Sequence, residues 1–247
     1  MLDFYDHALA ALLILALPPR AWLAFRTLVR AAPERRPRLR QRLYLIATFT
    51  QWSLVTLVVV RWLRTGRTWA EIGLVPVLTP GAIGVAIGLA IVATLIGLQA
   101  RRGVADPDTQ ARMRGRLAHV EPLMPHSRGE LARFRVIAIT AGICEELLFR
   151  GFLIWYFMHF VGLIPAAGLS SVSFGIGHIY QGPRYVIVTG LLGAFLGGVY
   201  LITGSLFLPM LIHALMDLYS GWVAYRLFAP AGEAGTGASA PPAEPAA

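Results

Sequence analysis

The chain has 247 residues, 56% of them hydrophobic and only 14% charged, with a mean hydropathy of +0.62. That is too apolar for a soluble domain of this size, and the apolar residues gather in long runs, so the chain reads as an all-α, polytopic transmembrane helix bundle. The net charge of +9 comes from 22 basic residues, all Arg, set in short segments between apolar runs; this placement reads as orientation signals and argues against nucleic acid as a partner.

The first apolar run covers 8–17 and reaches Phe25 only by crossing Pro18, Pro19 and Arg20, which predicts a short first span. Asp3 and Asp6 precede it and no Arg does, so it makes a poor signal peptide. Between Arg20 and Arg42 eight Arg stand against Glu34, a cytoplasmic mark that leaves the N-terminus outside. A second span is expected at 43–63 and a third at 80–98, where Gly84 and Gly88 have the spacing of a close helix contact. Between them, 65–74 with Trp69 reads as interfacial. Residues 101–135 are polar, Arg-rich and broken by Pro107, Pro122 and Pro125, which predicts a cytoplasmic segment with a basic amphipathic surface helix around 109–119.

A fourth span is expected at about 136–157, a fifth from Pro165 to His178, a sixth from Pro183 to about Ile202 and a seventh from about Leu206 to Phe228. Gly190, Gly193, Gly197 and Gly198 predict that the sixth is central to the bundle and turned away from lipid. The chain thus divides into N-terminal helices and basic loops over 1–130, a membrane core over 131–228, and an Ala/Pro/Gly/Glu-rich tail over 229–247 that is expected to be disordered. Seven spans, with six and eight as the neighbouring counts, put the C-terminus in the cytoplasm. The all-Arg usage points to a bacterial source and so to a bacterial cell membrane.

The fourth span contains Cys144-Glu145-Glu146-Leu147-Leu148-Phe149-Arg150-Gly151. A charge in hydrocarbon costs about 2.5–3.5 kcal/mol on the insertion scale, so these three must be paired, hydrated or hidden from lipid. Glu146 and Arg150 are four apart on one helical face and can pair, while Glu145 points about 100° away. This suggests one structural carboxylate and one working carboxylate. Between Leu131 and Phe228 the other acid is Asp217, and the histidines are His159, His178 and His213. His159, beside Trp155 and Tyr156, reads as interfacial. His213 and Asp217 share a face, and Pro209, four residues earlier, is expected to remove a helical hydrogen bond. Gly175 and Gly177 thin the helix before His178. One Glu and two His converging from three helices can activate water.

Plainer readings exist for each residue. Glu146 with Arg150 serves as a packing device, His178 as a helix-end hydrogen-bonding group, His213 with Asp217 as a buried pair, Phe174 as packing and Cys144 as a small buried hydrophobe. A secondary transporter or proton relay uses the same residue types, but the sequence shows no internal repeat and its polar residues crowd into the C-terminal half.

In order, Glu145-Glu146-x-x-x-Arg150, Phe174-x-x-x-His178 and His213-x-x-x-Asp217 fall on successive apolar helices. Over 131–228 the chain resembles the CPBP (Abi) family of intramembrane proteases, related to the Ras-converting CAAX endopeptidase. The resemblance implies a helix bundle around a cavity open to membrane and cytosol, where water is activated for peptide-bond hydrolysis. By position it implies Glu145 as principal base, His178 as its partner, His213 with Asp217 at the oxyanion, and Glu146 with Arg150 as support, with Phe174 a candidate substrate contact. The implied partners are a peptide or lipidated, CAAX-like protein substrate and membrane lipid. Glu145, His178 and His213 can ligate Zn2+, and the same set can act without metal as a glutamate/histidine base; both alternatives are open. A non-catalytic scaffold or peptide-immunity protein of the same fold is the rival reading.

Overall fold

The computed structural model describes residues 2–76, 79–103 and 106–230, and among these the regular structure is entirely helical. The helices are α1 (Phe4–Ala11), α2 (Leu17–Arg30), α3 (Arg36–Thr65), α4 (Pro80–Gly103), α5 (Pro107–Leu117), α6 (Arg128–Glu145), α7 (Ile154–Val161), α8 (Leu163–Gly177), α9 (Pro183–Thr203) and α10 (Phe207–Phe228). The part of the expected disordered tail at 231–247 lies outside the described residues.

Among the described residues, five helices are long and apolar enough to cross a membrane: Phe4–Arg30, Pro33–Thr65, Pro80–Gln99, Pro183–Thr203 and Phe207–Phe228. The two other expected spans depart for definite reasons. The rod from α6 to α7 carries the acidic stretch, and α8 has 15 residues, about 22 Å at the helical rise. The first span is longer than the sequence predicts. A π-helical turn at Leu12–Ala16, with Leu17 N–H bonded back to the Leu12 carbonyl, takes up the prolines, and the rod runs on to Arg30.

In lipid, helices associate through close packing instead of water exclusion, and glycines mark the tightest approaches. A Cβ on Gly142 would sit 2.6 Å from the Ala214 backbone nitrogen, which fixes α6 against α10. A Cβ on Gly175 would sit 2.4 Å from the Val186 carbonyl, which fixes α8 against α9. Two expectations need correction here. Gly84 and Gly88 of α4 meet nothing within 4 Å, so among the described residues their spacing joins no other helix. The helix α9 packs with one face only, and Ile187, Val188, Leu191, Phe195 and Ile202 are exposed on the other.

Buried ion pairs tie the helix ends. Arg67 grips both oxygens of Asp6 at 2.8 and 2.6 Å, and Arg40 meets Glu130 at 2.6 Å while also bonding the Pro122 and Met124 carbonyls. Between them, Trp62 of α3 stands edge-on to Trp155 at 4.8 Å, in a core with Phe152, Leu148, Ile72 and Leu206. The basic helix α5, capped by Asp106, lies against α10.

Candidate active site

The acidic stretch lies where the rod changes its winding. The helix α6 ends at Glu145 and the chain continues as a π-helix over Glu146–Leu153, an insertion frequent at functional sites. The widened turn leaves the Phe149 carbonyl to the buried Ser170 hydroxyl, which donates to it at 2.6 Å. The π segment is buried throughout, so its charges meet protein and not lipid.

Glu146 is fully buried and its Oε1 accepts from Arg150 Nη1 at 2.8 Å. Arg150 also donates to the Gly193 carbonyl at 3.1 Å and stacks over Phe174 at 4.3 Å. The guanidinium is thus satisfied by three helical segments, as a buried charge requires. The same Glu146 oxygen lies 2.7 Å from His213 Nδ1. A carboxylate accepts, so the Nδ1–H donates and His213 Nε2 is left facing the other acids. Glu145 Oε2 lies 3.9 Å from that nitrogen and Asp217 Oδ2 3.8 Å from it, both beyond direct hydrogen bonding.

Glu145 differs from its neighbour in exposure and in partners. Its side chain is 16% exposed against 0% for Glu146, and its Oε1 accepts from the neutral Gln51 Nε2 at 2.8 Å; the Oε2 atoms of both acids are buried without a hydrogen-bond partner among the described residues. Gln51, on α3, is a site residue that the motifs do not reveal. Its signal was present as the one side-chain amide in the apolar run 43–63. Beside it, Trp52 Nε1 donates to Thr140 Oγ1 at 3.3 Å and holds α3 to α6.

His178 closes α8, and its Nδ1 lies 2.9 Å from the Phe174 carbonyl. A carbonyl only accepts, so Nδ1 carries the proton and Nε2 of the neutral ring is left as a free base. No hydrogen bond or ion pair joins His178 to Glu145 among the described residues. The link between the two histidines is Phe174, whose ring lies 4.7 Å from His178 and 5.9 Å from His213. With 1% exposure, Phe174 packs between them and offers no open surface to a substrate. Pro209 requires a correction, because it stands in the first turn of α10, where its missing N–H has no intrahelical partner to lose. The first helical bond, from Met210 to the Leu206 carbonyl, forms normally.

No group of three or more His, Cys, Asp or Glu side chains among the described residues is arranged to hold an ion; both imidazoles commit Nδ1 to protein acceptors and leave Nε2 for the chemistry of the site.

Fold and site together describe a polytopic membrane protein with a hydrogen-bonded acid–imidazole centre inside its helix bundle. Residues 127–219 match the family model described as type II CAAX prenyl endopeptidase Rce1-like. Over this segment, under half of the chain, the protein is similar to that family of CAAX-type proteases. No curated protein and no solved structure matches the chain.

Proposed function

We propose that the protein is an intramembrane endopeptidase that hydrolyses a peptide bond near the C-terminus of a membrane-anchored or prenylated, CAAX-like substrate. The observation that carries this reading is the asymmetry between adjacent acids: Glu146, fully buried, is held between Arg150 and His213, while Glu145, 16% exposed, is held by the neutral Gln51 amide alone. In this mechanism Glu145 takes a proton from water and the hydroxide attacks the scissile carbonyl carbon. His178, through its free Nε2, is the partner base. A doubly protonated His213, held by Glu146 at Nδ1 and with the Asp217 carboxyl nearby, donates to the oxyanion from Nε2. As the tetrahedral intermediate collapses, the C–N bond breaks and the proton on Glu145 passes to the leaving amine.

The hydrolysis is read as metal-free, a reading supported by the lack, among the described residues, of a group of three or more donors arranged to hold an ion. The same reading puts the Arg-rich 20–42 segment and the C-terminus in the cytoplasm and the N-terminus outside, in a bacterial cell membrane.

The test is cleavage of a quenched fluorescent, farnesylated CAAX peptide by detergent-purified protein. Wild type should cut it, while Glu145→Gln and His178→Ala should be inactive with unchanged insertion and folding. Undiminished cleavage by Glu145→Gln would overturn the assignment. A wild type that cuts no peptide, prenylated or not, would favour the scaffold role.

A further inference from the structure

Next to the His178 turn, the protein has a second feature that the chemistry above does not use. A groove of about 280 Å³ is lined by Trp22, Phe25, Arg26, Val29 and Arg30 of α2 and by Tyr180. Arg26 and Arg30 stand one turn apart on α2, and no carboxylate pairs with either among the described residues. The Arg26 guanidinium lies over the Trp22 ring at 4.3 Å. Like charges four apart repel, and an anion between them relieves that repulsion.

The groove reaches the candidate active site through one residue. Phe25 packs on Tyr180 at 5.6 Å between ring centres, and Tyr180 lies 5.9 Å from the His178 ring. An extended peptide advances about 3.3–3.6 Å per residue. Two or three residues beyond a cut at His178 are of the length needed to follow the Tyr180–Phe25 contact onto the helix that carries Arg26 and Arg30. Trp22, Phe25 and Val29 supply an apolar wall for the intervening side chains.

We propose that this groove binds the C-terminal carboxylate of the peptide substrate through Arg26 and Arg30, which sets the distance of the cut from the chain end. The proposal rests on the endopeptidase reading above. Planar guanidinium and carboxylate groups match in shape as well as charge. A lipid phosphate would suit the same cations, but the position of the groove on the His178 turn favours a peptide end.

The experiment uses the full chain in phosphatidylcholine nanodiscs, in a Glu145→Gln background that does not consume the probe. A labelled farnesylated CAAX peptide is titrated by fluorescence anisotropy, once as the free acid and once as the C-terminal carboxamide. The acid should bind about tenfold tighter, equivalent to one charge-assisted contact. Arg26→Gln with Arg30→Gln should bring the acid down to the affinity of the amide, and Arg26→Lys with Arg30→Lys should keep part of the preference. Equal affinities, absence of binding, or a preference that survives the double Gln variant would each overturn the proposal. If the double Gln change weakens binding only to phosphatidylglycerol vesicles, the groove is a lipid site and the proposal fails. If the acid preference holds but protein with Glu145 intact cuts neither peptide, the groove stands and the endopeptidase reading falls.

Discussion

One oxygen of Glu146 serves two partners, Arg150 Nη1 at 2.8 Å and His213 Nδ1 at 2.7 Å, and so joins the π segment to α10. The pairing orients the imidazole before any substrate arrives. A second carboxylate next in sequence stays outside this arrangement, which lets adjacent residues perform different tasks.

Glu146→Gln should therefore act on stability as well as activity. Removing one partner of a buried pair leaves an uncompensated charge and costs about 3–5 kcal/mol. Thermal unfolding of the purified protein should show a marked fall in Tm for Glu146→Gln. Glu145→Gln should unfold within about 1 kcal/mol of wild type, as a change at a partly exposed group does. Equal stability of the two variants would refute the division of roles.

Gln51→Leu tests the contribution of α3. Loss of one hydrogen bond to a carboxylate is worth about 1.5 kcal/mol, so kcat should fall roughly tenfold while Tm holds. An unchanged kcat would reduce Gln51 to a packing residue.

Gly142→Ala places a methyl 2.6 Å from the Ala214 backbone, one residue from His213. Only movement of α10 can relieve this, at about 1–3 kcal/mol, and cleavage should drop with Tm. Gly84→Ala and Gly88→Ala, which meet nothing, should be neutral in both assays. Neutrality at Gly142 would show that α6 and α10 are less closely docked than described.

Dialysis against EDTA or 1,10-phenanthroline should leave cleavage intact, and elemental analysis should find substoichiometric zinc. Activity lost on chelation and restored by Zn2+ would replace the glutamate/histidine base with a metal centre.

The apolar runs revealed the helices because membrane burial demands uninterrupted hydrophobicity, and the Glu146–Arg150 contact followed from helical spacing alone. The turn of His213 toward Glu146 was hidden, because it depends on how α10 docks against the π segment across 67 residues of sequence. Gln51 was hidden for the same reason, since its partner Glu145 is 94 residues away. Pro209 misled because its effect depends on where the helix begins. The spacing of Gly84 and Gly88 shows that a helix can make a close contact, and says nothing of whether one is made.

The loop that follows α3 carries a wider consequence. The Gly73 carbonyl accepts the Leu206 N–H at 2.9 Å, the Val75 carbonyl accepts the Ser205 hydroxyl at 2.7 Å, and Ile72 lies buried against Gly151. These bonds anchor the entry of α10, and with it His213 and Asp217, to a loop from the N-terminal half. Severed from that half, residues 127–219 would retain every signature residue and lose both the clasp at the head of α10 and the amide that holds Glu145. The smallest unit that keeps this site assembled is thus larger than the segment that matches the family model.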